Sequence, residues 1–312
     1  MAILDLFSRI PPATRGAVLL TIGISIFGFT DNFTLLVSDD VGVGQFHASR
    51  SLFAIVFVFF LARVFKVSVM PSHWPAVLVR TFFITMSMLL YFAVIPMMPI
   101  AEAGAGLFTS PIFVLLFSAL LFKEAIGIRR IAAVAIGTVG VMLVLQPQGD
   151  NFTIYHILPV LAGAFYAMGS IVTYRYCRDE SALALLMAFL VAIGLAGGIY
   201  TTALTILPVS PGLLAEAPFL FRAWQAVDMI FWGWMVLIAL GAATALSLMT
   251  RAYQLTQTSY AVIFEYVYLI SAGFFSWLIW DIAPNMTSIA GILMIVMAGL
   301  VIIFAQIKAE AG

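Results

Sequence analysis

The sequence predicts an all-α integral membrane protein, with ten transmembrane helices arranged as two inverted five-helix repeats. Three observations predict it: the chain is too apolar for water, it divides into ten runs of bilayer length, and its second half repeats the pattern of its first. Of 312 residues, 64% are hydrophobic and 9% charged, against about 45–50% and 25% in soluble domains. Mean hydropathy is +1.15. In water such a chain would expose a large apolar surface, so its natural solvent is lipid. The 14 basic and 14 acidic residues cancel, so net charge gives no reason to expect a nucleic-acid or acidic partner. One cysteine, Cys177, excludes an internal disulfide framework and any multi-cysteine metal centre.

The stretch Met1–Arg15 reads as an interfacial lead-in, with Ile3, Leu4, Leu6 and Phe7 apolar and Pro11 and Pro12 ending it. No small-residue cleavage site precedes a soluble domain, so a cleavable signal peptide is not expected. A crossing needs roughly 20 apolar residues for about 30 Å of hydrocarbon. Charges, prolines and glycines divide the remaining chain into runs at 16–37, 46–65, 75–95, 101–122, 127–146, 155–176, 182–207, 229–250, 258–280 and 284–306. These are spans one to ten. Most connections are short; the exception is Pro208 to Asp228, where Pro211, Gly212, Pro218 and Trp224 suggest an interfacial loop. Lysine and arginine concentrate on the cytoplasmic side of membrane proteins. With the N-terminus inside, the cytoplasmic side receives Arg9, Arg15, Arg63, Lys66, Arg80, Lys123, Arg129, Arg130, Arg175, Arg178, Arg251 and Lys308. The outer side holds only Arg50 and Arg222. A split of twelve to two sets the orientation, with both termini cytoplasmic.

The repeat places residues 16–146 (spans one to five) against 155–306 (spans six to ten). Spans four and nine are long apolar helices ending in an acid, Glu124 or Asp281. After a tight turn, spans five and ten carry small residues seven apart, Ala133 and Gly140 in one and Gly291 and Ala298 in the other. An odd number of spans per half inverts the second half relative to the first. Inverted repeats of this kind are a transporter architecture, with substrate bound near the midplane between the halves.

The ordered set of short motifs resembles the drug/metabolite transporter superfamily, specifically EamA-type ten-helix carriers, over nearly the whole chain. Phe27-Gly28-Phe29-Thr30-Asp31-Asn32 is similar to that family's first-helix polar motif, and Gln45 through Arg50 to its entry into helix two. Phe264-Glu265-Tyr266 resembles the Glu-Tyr of one branch, and Lys123-Glu124 and Trp280-Asp281 resemble its helix-end acids. Some relatives carry a lysine four residues after the helix-one aspartate; Leu35 stands there in this chain, so the substrates of lysine-bearing members do not carry over. The resemblance implies a multi-pass protein of the bacterial cytoplasmic membrane that handles amino acids, nucleotide-like metabolites, vitamins or drugs, as a monomer or weak homodimer. It implies no cofactor.

An ionisable group in hydrocarbon costs at least about 2.5–3.5 kcal/mol, so each needs a reason. Glu265 lies seven residues into span nine, about 10 Å deep at 1.5 Å per residue. Its helical face includes Ala261, Tyr268, Ala272 and Ser276, small and polar enough to line a cavity. The functional reading is a cation or ammonium ligand or a proton-coupling carboxylate; the alternative is a carboxylate hydrogen-bonded to a neighbouring helix. Asp31, beside Asn32, lies at a similar depth from the outer face, with Arg50 at a comparable level. An Asp31–Arg50 pair is either a structural bridge or an outer gate with a carboxylate-binding arginine. His47, one turn above Arg50, is expected at the interface. Tyr166, Gly169, Ser170, Thr173 and Tyr174 form a stripe on span six, Thr81, Thr85, Met88 and Tyr91 on span three, and Trp234, Gly241 and Ala245 on span eight. Together with Tyr266 and Tyr268 they suit a small amphipathic solute, although small and hydroxyl residues also favour plain helix packing. The acid at 265 with nearby tyrosines favours an amine-bearing solute.

No G-x-x-x-x-G-K-[ST] loop is present, so ATP does not drive the protein directly. No H-E-x-x-H, G-x-S-x-G or Cys/His cluster is present, so a hydrolase or metalloenzyme lacks its parts. Nor is there a voltage-sensing arginine helix or a TVGYG filter. The expectation is a secondary carrier of a small organic metabolite, with substrate and lipid as its partners. The alternatives are a scaffold or accessory subunit without transport, and a vitamin or nucleotide-metabolite carrier of the same fold.

Overall fold

The computed structural model describes residues 12–123, 128–146, 153–255 and 266–310. Among these the regular structure is entirely helical. Helix α1, Pro12–Asp31, tightens into a 3₁₀ turn at Asn32–Leu36. It is followed by α2, Val43–Phe65, and α3, Trp74–Ala93. Span four is two helices, α4 Ile100–Leu107 and α5 Ser110–Phe122. Pro111 stands in the first turn of α5 and has no N–H to donate back to Leu107, so the α-helix is interrupted before it. At the break the Gly106 carbonyl accepts from the Thr109 N–H at 3.2 Å and the Thr109 hydroxyl at 2.7 Å. Then come α6 Ile128–Leu145, α7 Leu158–Tyr176 and α8 Ala182–Ile206. Two short helices, α9 Pro211–Glu216 and α10 Pro218–Phe221, lie in the connection read from sequence as an interfacial loop. The chain continues with α11 Met229–Leu255, α12 Val267–Trp280 and α13 Met286–Glu310. The lead-in Met1–Arg15 lies mostly outside the described residues.

Among the described residues, seven helices are long and apolar enough to cross a membrane: Thr14–Leu36, Val43–Phe65, Trp74–Met97, Ile100–Leu121, Ile154–Thr173, Ala182–Ile206 and Met229–Met249. Three shorter apolar helices join them, Ala135–Val144, Val267–Trp280 and Met286–Ala298. The burial pattern reverses that of a soluble protein. On α2, Leu52, Val56 and Phe60 are exposed while Gln45, His47 and Arg50 are buried. In a bilayer the apolar face meets lipid, and the polar side chains escape the hydrocarbon by pointing into the bundle.

Helix α1 packs on α11 and α12; α2 on α8 and α11; α3 on α7 and α8; α4 on α7 and α12; α5 on α7; and α6 on α13. Small residues allow the closest approaches, because lipid supplies no hydrophobic drive and the helices must win contact by packing. At Gly140 of α6, an added Cβ would stand 2.8 Å from the Gly291 carbonyl oxygen of α13, and one at Gly291 would stand 2.5 Å from that of Gly140. The turns after α5 and α12, paired in the repeat, each end on a left-handed residue, Lys123 with φ 55° and Asp281 with φ 56°.

Polar ties close both ends of the bundle. At one end, Arg222 Nη1 donates to the carbonyls of Ser38 at 3.0 Å, Asp39 at 2.7 Å and Val41 at 3.3 Å. Gln45 and Gln225 exchange two 2.9 Å bonds, each with the other's main chain or side chain. Phe219 is buried against Phe46. The α9–α10 connection therefore covers the start of α2. At the other end, both Glu180 oxygens accept from the Ser72 N–H at 2.9 Å, and Oε1 also accepts from His73 at 2.5 Å. These amides hold the Glu180 carboxyl below its ordinary value. Its folded pKa being depressed, the contribution to stability is present above the usual carboxylate range and is lost as pH falls through the folded value. Melting temperatures of wild type and Glu180→Gln should therefore differ near neutral pH and converge in acid; parallel profiles would show that the contacts contribute nothing.

Candidate functional site

The site forms where α1 stops being an α-helix. Gly28 brings α1 against α12 closely enough that an added Cβ would stand 2.8 Å from the Ala272 amide nitrogen. One turn later Asn32 spans the same joint, its Nδ2 donating to the Gly28 carbonyl at 2.7 Å and the Ala272 carbonyl at 3.3 Å. This anchors Asp31 beside Tyr268, one turn before Ala272. The Tyr268 hydroxyl donates to Asp31 Oδ2 at 2.7 Å. Its own oxygen meets the hydroxyl of Tyr91, from the end of α3. A phenol has one proton, and that of Tyr268 goes to Asp31, so Tyr91 donates to Tyr268. Asp31 is 4% exposed, Tyr91 2% and Tyr268 6%. Three helices thus converge on one buried carboxylate.

Arg50 lies on α2, 5% exposed. Its Nη2 is 3.3 Å from His47 Nδ1. A guanidinium cannot accept, so Nδ1 accepts and the imidazole proton is on Nε2. The guanidinium carbon lies 5.1 Å from the Phe46 ring centroid and 4.7 Å from that of Phe92, distances suited to cation–π attraction. The expected Asp31–Arg50 pair is corrected in its detail. The two groups make no direct ion pair; Arg50 bonds to His47 and Asp31 to Tyr268. His47 is also corrected: instead of lying at the interface it is completely buried, packed edge-on against Phe46 and Phe92.

Of the other residues singled out from sequence, Tyr266 is buried beside Phe108, their ring centroids 5.8 Å apart. Trp234 is half-buried and stacks on Phe33 at 5.7 Å. Tyr166 packs in a second apolar layer with Ile84, Phe189 and Leu190. Ser170, on the same helix, makes no hydrogen bond to the Asp31 group. Glu265 and Ala261 lie outside the described residues. Two features escaped the sequence reading. Phe46 and Phe92 flank Arg50, and only the i, i+4 spacing of Phe46 and Arg50 signals this. Arg80, placed from sequence near the inner face, is turned inward, with Nε 3.3 Å from Thr173 Oγ1 and Nη1 3.1 Å from the Leu185 carbonyl.

A buried carboxylate and a separate buried guanidinium thus sit among phenols and aromatic rings inside an apolar bundle. The apolar helices define a multi-pass membrane protein. Residues 14–146 match the EamA-like transporter family. The chain is 28% identical over 204 residues to a riboflavin transporter of Brucella anthropi, covering 65% of this chain and 66%, about two thirds, of that protein. It is 24% identical over 257 residues to the pseudopaline exporter CntI of Pseudomonas aeruginosa, covering 80% and 82%. It is 22% identical over 211 residues to an S-adenosylmethionine uptake transporter of Rickettsia bellii, covering 68% and 66%. A crystal structure with 17% identity has a similar fold over 94% of this chain and 98% of its own, TM-score 0.60.

Proposed function

We propose that this protein is a secondary carrier moving a small organic metabolite across the bacterial cytoplasmic membrane by alternating access. The observation that carries the proposal is the buried Asp31–Tyr268–Tyr91 group, because it joins spans one and three to span nine, one half to the other. A group that holds the halves together and also contacts solute can trade one role for the other during transport.

Ten spans in two inverted repeats, 16–146 and 155–306, complete the proposal. The helix pairings support it. Spans one and eight pair, as do six and three; one and nine, as do six and four; two and eight, as do seven and three. Spans two and seven, four and nine, and five and ten pair across the halves. Adding five to each span number maps this set onto itself, as a two-fold relation requires. Both termini are cytoplasmic in this scheme. Reporter fusions should place Gln148, Ala215 and Asn285 outside and Ser68, Asp179 and Gly312 inside; an external Gly312 would refute the ten-span count. The printed names of the relatives favour a metabolite substrate, with a vitamin such as riboflavin as the second reading. No ATPase motif is present in the sequence, so the energy source is an ion or solute gradient. Glu265 remains a candidate second carboxylate on span nine.

A further inference from the structure

We propose that the 208–228 connection is the outer gate of the carrier: Arg222 latches it onto the end of α1, and it lifts to admit or release solute. The proposal rests on the carrier reading and on the orientation that places this connection outside. In the proposed repeat the counterpart connection joins Phe65 of α2 to Trp74 of α3 within residues 66–73, whereas this one runs from Ile206 of α8 to Met229 of α11. Joining two helices does not need the extra length, and the additional residues go into contacts with the first half. Arg222 Nη1 reaches three carbonyls of the turn after α1, those of Ser38, Asp39 and Val41. The Gln45 side-chain amide pairs with both the N–H and the carbonyl of Gln225, at 2.9 Å each. The backbone at Arg222 lies directly on Gly42, where an added Cβ would collide with the Arg222 carbonyl oxygen. The same segment is tied to α8, by the Tyr200 hydroxyl on the Leu220 carbonyl at 2.9 Å and by Trp224 Nε1 on the Thr202 hydroxyl at 3.0 Å. It is a strap fixed to α8 and clasped over the α1–α2 turn.

Two features make the clasp a gate and not a fixed brace. Its bonds to the turn lie at an exposed edge, where Asp39 and Asp40 are exposed. Carbonyls and guanidinium released by opening there become hydrated, so lifting the strap strands no buried polar group. Its apolar contact, by contrast, leads inward. Phe219 is 2% exposed and packs on Phe46 with ring centroids 6.1 Å apart, and the Phe46 ring lies 5.1 Å from the Arg50 guanidinium carbon. The turn that Arg222 holds follows the 3₁₀ segment that begins next to Asp31. The strap therefore grips both elements that carry the buried polar groups, and its release frees the end of α1 and the Phe46 support of Arg50 together. Loops that close over a site in this way gate access by opening and closing as a unit.

Nitroxide labels on Asp40→Cys and Ala215→Cys, exposed positions on the turn and on the strap, report the gap by pulsed electron–electron resonance in liposomes. The native Cys177 is buried and stays unlabelled. Two distances are expected, a shorter one for the latched strap and a longer one for the lifted strap. Arg222→Gln should raise the ratio of longer to shorter about tenfold or more, as the loss of hydrogen bonds from a charged group does. A distance distribution unchanged in Arg222→Gln would overturn the gate. The second arm holds the strap down. Gln45→Cys/Gln225→Cys, bridged by a short bis-methanethiosulfonate, should stop counterflow of a labelled pool of amino acids and riboflavin in proteoliposomes, and reduction should restore it. Exchange as fast in the bridged protein as in the reduced one would also overturn the gate. A strap that lifts in a protein showing no counterflow, bridged or reduced, would keep the movement and count against the carrier reading.

Discussion

Asp31→Asn is expected to leave the protein inserted and folded but to reduce solute exchange about 30-fold or more, the size of effect seen when one charge of a buried, hydrogen-bonded pair is lost. Asparagine keeps the shape and can still accept from Tyr268, so the Tyr91–Tyr268 contact should survive. What disappears is the negative charge that a cationic group on a solute would meet. Tyr268→Phe should be milder. It removes the 2.7 Å donor to Asp31 and the oxygen that accepts from Tyr91 but leaves the charge in place, and a hydrogen bond to a charged group contributes about 1.5–3 kcal/mol. Exchange assays on both variants, normalised to membrane protein level, check the order. Wild-type exchange by Asp31→Asn would remove this carboxylate from transport.

Gly140→Leu is expected to destabilise the fold by about 3 kcal/mol or more, at or beyond the upper end for overpacking. The atom in the way is the Gly291 carbonyl oxygen at 2.8 Å. Backbone cannot swing aside as the tip of a flexible side chain can, so α6 and α13 would have to separate along their shared face. Gly291→Leu should behave alike, since the obstruction is mutual. Gly198→Ala is the control: nothing lies within 4 Å of its added Cβ, and helix propensity favours alanine. Melting temperatures in detergent should fall by several degrees for the two leucine variants and hold for the control.

The all-helical, multi-pass character was legible because lipid imposes long apolar runs, which stand out directly in the sequence. Span limits agree with the helices to a few residues wherever both are described, as with 182–207 against Ala182–Ile206. Gly140 and Gly291 were singled out as small residues of the repeat, and each stands against the other's carbonyl. The break in span four at Phe108–Thr109 was not visible in its apolar run. Composition separates apolar from polar but does not tell which polar group faces which. Asp31, Tyr91 and Tyr268 were each singled out, yet they sit 60 and 177 positions apart along the chain, and no local pattern says that their side-chain tips meet. Arg50 was paired with Asp31 because opposite charges at one depth suggest it. That inference could not see that Phe46 and Phe92 brace the guanidinium, nor that His47 is buried against the same two rings. Tyr166 has the same helical spacing as other cavity candidates but packs into a different layer, since periodicity fixes a face and leaves its neighbour open.

The most direct measurement of the central claim is counterflow in proteoliposomes loaded with unlabelled amino acids and given the same labelled pool outside. A carrier with an Asp31-centred site should accumulate label transiently above its equilibrium level, and Asp31→Asn should abolish that overshoot. Label that merely equilibrates, with no overshoot in any metabolite pool tried, or an overshoot unchanged in Asp31→Asn, would contradict the account.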